Sequence, residues 1–85
     1  MLRIWGGIAI LTFHNGSGKI PSTGLQLPYT FKDEIRTICQ YYNGNSNVNG
    51  ELRLYKNGTL YVYGAGGVGY TDATYVLGSI VAVLN

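Results

Sequence analysis

The chain has 85 residues, of which 46% are hydrophobic and only 12% are charged. Eighty-five residues allow one small domain with a marginal core, and this composition excludes a disordered tail. The formal net charge of +2 comes from scattered basic residues, which is too weak a field to steer a polyanion, so we expect no nucleic-acid partner.

The first element is the apolar run from Ile4 to Phe13, which we interpret as one strand. It is too short to span a bilayer, and no small-residue cleavage pattern follows it. We therefore expect neither membrane insertion nor a targeting segment. Because the chain enters a strand directly after Met1, we favour a fragment of a longer protein over a naturally short chain.

The middle of the chain alternates between polar loops and strands. Glycines and a proline predict a loop over 15–24, a strand is expected from Ile35 to Tyr42, and the polar stretch 43–50 suits an exposed loop. Cys39 is the single cysteine, which excludes a disulfide within the chain and a four-thiolate metal site. Its alternation with apolar neighbours predicts a small buried side chain and not a nucleophile.

A hairpin is predicted from residues 51–55 and 59–63 around the turn residues 56–58. A two-residue loop would pair Leu54 with Tyr61 and mix apolar with polar side chains on both faces. A three-residue loop with Gly58 left-handed pairs Leu54 with Leu60, which gives one apolar face, so we predict this register. The opposite face then carries charged and tyrosine side chains, with Arg53 across from Tyr61.

The glycine-rich segment 64–69 is followed by neither a helix nor a Gly-Lys-Ser/Thr ending, so we interpret it as a flexible connection and not as a phosphate loop. The final strand is expected from Ala73 to Leu84. Like the opening strand, it is apolar on both faces, whereas a small two-sheet sandwich buries only one face of each strand. We therefore predict a homo-oligomer, a trimer, that covers the second face.

Aromatic and amide side chains are the best candidates for a functional site. Saccharides stack on aromatic rings and hydrogen-bond to amides, and this chain has eight tyrosines and many asparagines. With one histidine, one cysteine and few carboxylates, there is little material for a catalytic set, so we expect no enzyme activity, metal or cofactor. The candidate ligand-binding residues are Arg53, Tyr55, Tyr61, Tyr63, Asn45 and Asn47, with His14 and Trp5 as second choices between subunits.

The order of these features resembles the C-terminal head domains of bacteriophage tail-fibre and baseplate receptor-binding proteins. The resemblance covers residues 8–84 and rests on the Leu27-Pro28-Tyr29 step, the hairpin with its Asn57-Gly58-Thr59 turn, and the closing segment 75–79. The step lacks the second proline that is usual in these domains. The resemblance implies a compact antiparallel β-sandwich or jelly-roll-like barrel over residues 1–85, commonly trimeric, at the tail tip of the virion.

The resemblance also implies the function. Such a head domain recognises a host cell-wall or surface saccharide, contacts other phage tail proteins, and gains strength from several copies acting together. An alternative from another class is a structural trimerisation or capping module of a tail or neck assembly, without a ligand. A small lectin or bacterial surface adhesion domain is a third reading.

Overall fold

A computed structural model describes residues 2–14 and 19–85, with the backbone alone for His14. Short strands dominate it, as the many Tyr, Val, Ile and Thr residues favour. The strands are β1 (Leu2–Trp5), β2 (Ile8–His14), β3 (Lys19–Ile20), β4 (Leu25–Gln26), β5 (Ile35–Tyr42), β6 (Asn47–Leu54), β7 (Thr59–Tyr63) and β8 (Ala73–Val83). Within the described residues the single helical element is a 3-10 turn, Ala65–Gly67.

The strands form one antiparallel sheet in the order β1-β2-β8-β5-β6-β7-β4, and β3 pairs with β8 beside β2. The sheet curls into a compact all-β domain, which confirms the predicted fold class. The strand that comes last in chain order, β8, thus lies in the interior of the sheet. The finer description as a sandwich or jelly-roll-like barrel stays a prediction.

The opening run is a hairpin, so its interpretation as one strand was wrong. Gly6 and Gly7 both have positive φ, at 55° and 88°, as in the two-residue turns that suit twisted strands. Trp5 therefore pairs with Ile8, and β1 folds back along β2. Apolar residues on both sides of the glycines hid this turn, since hydrophobicity continues without a polar break.

The hairpin of β6 and β7 has the predicted register, with Leu54 opposite Leu60 and Arg53 opposite Tyr61. Gly58 has a φ of 90°, and the Asn57 Oδ1 accepts a 3.0 Å hydrogen bond from the Thr59 amide. The three-residue loop is therefore confirmed. Its inward side chains are among the most buried in the chain: Leu52, Leu54, Leu60 and Val62.

Only the first half of the polar stretch 43–50 is a loop, so the expectation of an exposed loop over all of it was wrong. A tight turn occupies 43–46, where the Asn43 Oδ1 accepts hydrogen bonds from the amides of Asn45 and Ser46, both at 2.9 Å. From Asn47 onwards the chain is already paired with β5. Gly50 fits inside β6 because a Cβ there would lie 2.7 Å from the Tyr63 carbonyl oxygen.

The terminal strands bury one face and expose the other. Ala9, Leu11 and Ile80 lie in the core, whereas Val81 and Val83 on the outer face are 56% and 49% exposed. The prediction that both faces are apolar is thus confirmed, and the outer face of β2 and β8 presents aliphatic side chains to solvent. Pairing places Ile8 beside Val83 on this face.

The segment 27–32 joins the β6–β7 turn to the end of β8. The Leu27 and Phe31 amides donate to the carbonyl oxygens of Gly58 and Lys56 in the β6–β7 turn, at 2.9 and 2.8 Å. The Lys32 amide donates to the Val83 carbonyl oxygen at the end of β8, at 2.9 Å. The Phe31 ring is buried in the core beneath this segment. The predicted Leu27-Pro28-Tyr29 step therefore has a structural role, since it belongs to a segment that is bonded to the hairpin turn and to β8.

Candidate functional site

The outward face of the β6–β7 hairpin gathers the predicted aromatic residues. Alternation along a strand sends Leu52 and Leu54 into the core, so Arg53 and Tyr55 must point away from it. On β7 the same alternation turns Tyr61 and Tyr63 outward. The structure thus brings together these four predicted site residues, each of them half-buried against its neighbours.

A fifth residue, Tyr70, completes the group, although the sequence did not identify it. Its ring stacks on that of Tyr61, with centroids 4.3 Å apart and planes 20° from parallel. It meets the rings of Tyr55 and Tyr63 edge to face, at 6.4 and 5.7 Å. At 39% exposed, Tyr70 is the outermost ring. We call Tyr55, Tyr61, Tyr63 and Tyr70 the tyrosine cluster.

The glycine-rich segment 64–69 brings Tyr70 to the cluster. The Gly64 amide donates to the Gly69 carbonyl oxygen at 2.8 Å, which closes the loop and lets Tyr70 pair with Tyr63. The Ala65 amide donates to the Tyr41 hydroxyl at 3.1 Å, which fastens the loop to the core. The expected connection is therefore a folded loop with defined contacts.

Arg53 holds the other side of the cluster. Its Nε and Nη2 atoms lie 3.0 and 2.9 Å from Glu51 Oε1, and its guanidinium carbon lies 3.8 Å from the centre of the Tyr63 ring. Desolvation lowers the pKa of Arg53, but the hydrogen bonds to Glu51 and Tyr70 raise it above its ordinary value overall. The guanidinium is therefore a permanent cation held between a carboxylate and a ring.

The hydroxyls of Tyr55 and Tyr70 are hydrogen-bonded to each other. This hydrogen bond to Tyr70 raises the pKa of Tyr55, so its phenol is neutral at physiological pH. A neutral phenol both donates and accepts hydrogen bonds. The cluster therefore offers ring faces and hydroxyls together.

Two open clefts flank the cluster. The loop cleft, of about 370 Å³, lies between Arg53 and the glycine-rich loop, and the turn cleft, of about 530 Å³, lies between Tyr70 and the hairpin turn. Both sizes suit small ligands. The loop cleft is lined by Ile38, Asn49, Gly50, Glu51, Arg53, Tyr63 and residues 64–67. The turn cleft is lined by Glu34, Tyr55, Lys56, Asn57, Thr59, Tyr61 and Tyr70.

Asn45 and Asn47 do not join this group, contrary to the prediction. Asn45 lies in the β5–β6 turn, and Asn47 begins β6 six positions before Arg53, which is about 20 Å along a strand. The strand that starts at Asn47 places Asn49 nearer, and Asn49 lines the loop cleft instead. The amides at the site therefore come from Asn49 and Asn57.

The second-choice residues lie elsewhere. Trp5 is 79% exposed at the end of β1, an edge strand separated from β6 by three intervening strands. His14 ends β2 opposite Leu77, and its side chain lies outside the described residues. Trp5 therefore lies apart from the tyrosine cluster within one chain.

The described residues offer little to a catalytic or metal centre. Burial raises the pKa of the Cys39 thiol from 9.0 to about 11, so this side chain is a protonated, inert thiol at neutral pH. Within residues 2–14 and 19–85, no three His, Cys, Asp or Glu side chains lie close enough together to hold a metal ion. Nor does any helix in this part of the chain have the length and apolar character to cross a membrane.

The sequence carries one signal for Tyr70, which strand alternation alone does not capture. Tyr63 and Tyr70 flank the glycine-rich segment symmetrically, as the two ends of a loop that folds back on itself do. The pairing of Glu51 with Arg53, two positions apart on one strand, was likewise not expected from the sequence.

No protein-family model, curated protein sequence or solved structure matches this chain significantly.

Proposed function

We propose that this domain binds a saccharide at the tyrosine cluster and performs no catalysis. The observation that carries the proposal is Tyr70, an exposed ring supported from below by Tyr61 and hydrogen-bonded at its edge to Tyr55. A rigid, accessible ring covers the apolar face of a sugar, and amides beside it meet the hydroxyls. Asn49 and Asn57 lie in the adjoining clefts.

The proposal extends to the biological setting that the sequence resemblance implies. The domain is a phage receptor-binding head at the tail tip of the virion, it contacts other tail proteins, and its ligand is a host cell-wall or surface saccharide. One stacking ring contributes on the order of 1 kcal/mol beyond area burial, so a single site binds weakly. Several copies on one particle raise avidity by roughly a hundredfold or more.

The same proposal includes a homotrimer with a jelly-roll-like sandwich architecture. Its support is the outer face of β2 and β8, where Ile8, Val81 and Val83 present an apolar surface. Exposed apolar patches of this kind are typical of surfaces that meet another protein. In a trimer this face is covered by a neighbouring subunit, and the tyrosine cluster of each copy stays free.

The test compares Tyr70→Ala with Tyr75→Ala. Tyr75 is also an exposed tyrosine, but it lies on β8 and contacts Tyr42, away from the cluster. We expect Tyr70→Ala to lose adsorption to host cells or purified wall polysaccharide, while Tyr75→Ala keeps it and both variants retain the circular dichroism of the parent. Equal adsorption by both variants would remove the cluster from consideration.

A structural capping module is the second candidate, and the exposed Trp5 and the apolar outer face favour it. Such a module needs contact with copies of itself or with another tail protein, and it needs no ligand. It predicts that the unaltered domain assembles into trimers yet adsorbs to no glycan on an array of bacterial surface saccharides. Binding to any of those glycans that Tyr70→Ala abolishes decides for the saccharide-binding head.

A further inference from the structure

The two clefts are neighbours that share one wall. Arg53 and Tyr63 line the loop cleft, Tyr70 lines the turn cleft, and the rings of Tyr63 and Tyr70 touch edge to face at 5.7 Å. Arg53 also lies 6.0 Å from the centre of the Tyr70 ring. The rings of Tyr63 and Tyr70 therefore form one wall between the two clefts.

Each cleft supplies hydrogen-bonding groups of its own. The loop cleft has the Asn49 amide and the backbone of residues 64–67, in which Gly66 and Gly67 have positive φ and present no side chain. The turn cleft has the Lys56 and Asn57 groups beside the Tyr61 ring. A ligand confined to one cleft leaves the polar groups of the other in water.

The charges around the clefts nearly balance. Their lining residues include two carboxylates, Glu34 and Glu51, and two cations, Arg53 and Lys56. Glu51 and Arg53 are paired with each other at 2.9 Å, and Glu34 lies 3.6 Å from Arg36. Counted with Arg36, three cations face these two carboxylates, and one exposed excess charge attracts an acidic ligand only weakly.

Resting on the proposed saccharide-binding function, we infer that one uncharged oligosaccharide binds across both clefts, with a sugar ring on each side of the Tyr63–Tyr70 wall. Because both clefts are open to solvent, the bound glycan extends beyond them at either end. The site therefore recognises a stretch within a polysaccharide and not a terminal sugar.

The test measures affinity for length series of uncharged and acidic bacterial glycans on an array, from a single sugar to a hexasaccharide. We expect affinity for an uncharged series to rise about tenfold once the glycan is long enough to reach both clefts. It should change less than about twofold between low salt and about 0.5 M NaCl, since no net charge is neutralised on binding.

A variant that fills one cleft separates the two halves of the site. Ala65 lines the loop cleft, so Ala65→Trp should reduce the affinity for the long glycan to that for the short one, with the short one unchanged. Val68→Trp is the matched control, since Val68 lies in the same loop, is exposed and lines neither cleft. If Ala65→Trp fails to fold, Asn49→Ala should reduce the length dependence at an exposed strand position.

The outcomes distinguish this inference from the function on which it rests. Affinity that is complete with one sugar, binding restricted to acidic glycans, or binding that weakens steeply with salt would each overturn the inference and leave saccharide binding intact. Absence of binding to every glycan on the array would overturn both.

Discussion

Arg53 is fixed by a carboxylate on one side and an aromatic ring on the other. Its side chain is only 16% exposed, whereas Arg36, directly opposite on β5, is 52% exposed and lies 3.6 Å from Glu34. A cation on a ring with a charge-assisted hydrogen bond contributes about 1 to 2 kcal/mol, against at most about 1 for an exposed pair. The two arginines therefore allow a controlled comparison.

We expect Arg53→Ala to lower the free energy of unfolding by about 1 to 2 kcal/mol, and Arg36→Ala to change it by less than about 0.5. Urea denaturation followed by tyrosine fluorescence measures both. Equal losses in the two variants would show that the contact between Arg53 and Tyr63 adds nothing to an ordinary surface pair.

Cys39 makes stability depend on alkaline pH. Burial raises its pKa from 9.0 to about 11, so between these values the folded chain keeps a proton that the unfolded chain has lost. The free energy of unfolding should therefore fall as pH rises from about 9 to about 11, and this contribution should be constant below that window. Cys39→Ala should show a shallower fall in urea denaturation over the same range. Identical slopes would contradict the assignment.

The position of a residue was predictable where strand alternation sets it, and unpredictable where the fold of a loop sets it. The period of two placed Arg53, Tyr61 and Tyr63 on one face from the sequence. The position of Tyr70 depends on how the loop 64–69 folds back. That fold depends on the hydrogen bond to the Tyr41 hydroxyl and on glycines with positive φ, which no local sequence pattern reveals. Asn47 was misplaced for a related reason, because turn-forming asparagines continue into a strand that β5 imposes.

At the scale of elements, two turn glycines share a conformation but differ in their surroundings. Gly58 and Gly44 have φ values of 90° and 97°. A Cβ at Gly58 would collide with the Tyr29 carbonyl oxygen and lie 3.0 Å from that of Leu27, whereas a Cβ at Gly44 would meet nothing within 4 Å. Substitution at Gly44 therefore tests the left-handed backbone alone, and substitution at Gly58 adds a steric conflict.

Gly44→Ala should cost about 1 kcal/mol of stability, and Gly58→Ala at least about 2, because the segment 27–32 must then move away from the hairpin. Thermal and urea unfolding of both variants check this. A loss of stability at Gly58 no larger than that at Gly44 would mean that the segment 27–32 moves aside without a loss of stability.

The hairpin of β6 and β7 followed from the sequence because its turn residues and both strand patterns agree on one register. The β1–β2 hairpin did not, because Gly6 and Gly7 interrupt a run that is apolar on both sides. In that run the hydrophobic pattern carries no information on direction, and the backbone freedom of two consecutive glycines decides where the chain reverses.

At the scale of the whole molecule, the apolar outer face of β2 and β8 predicts self-association. In the double variant Val81→Glu with Val83→Glu, both changes lie on exposed positions, so the fold should persist while the proposed trimer dissociates to monomers. Light scattering coupled to size exclusion measures the mass, and circular dichroism checks the fold. Thr23→Glu, at an exposed position outside the strands, is the control for added charge.

A stable monomer of the unaltered domain at micromolar concentration would count against the trimer, as would a double variant that stays assembled. The sequence could predict that this face is apolar, but it could not identify the partner, because a pattern of hydrophobic residues is the same whatever covers it.

The position of β8 inside the sheet also governs how the chain acquires its fold. Pairing of β2 with β8 joins Ile8 to Val83, so the chain must close a long loop before these contacts form. Until β8 has been synthesised, the β1–β2 hairpin and the β5–β6–β7 meander have no strand between them, and β5 has an open edge. Refolding should therefore take milliseconds to seconds and complete only when β8 is inserted. A ribosome-bound chain that stops before Ala73 would expose strand edges that favour aggregation.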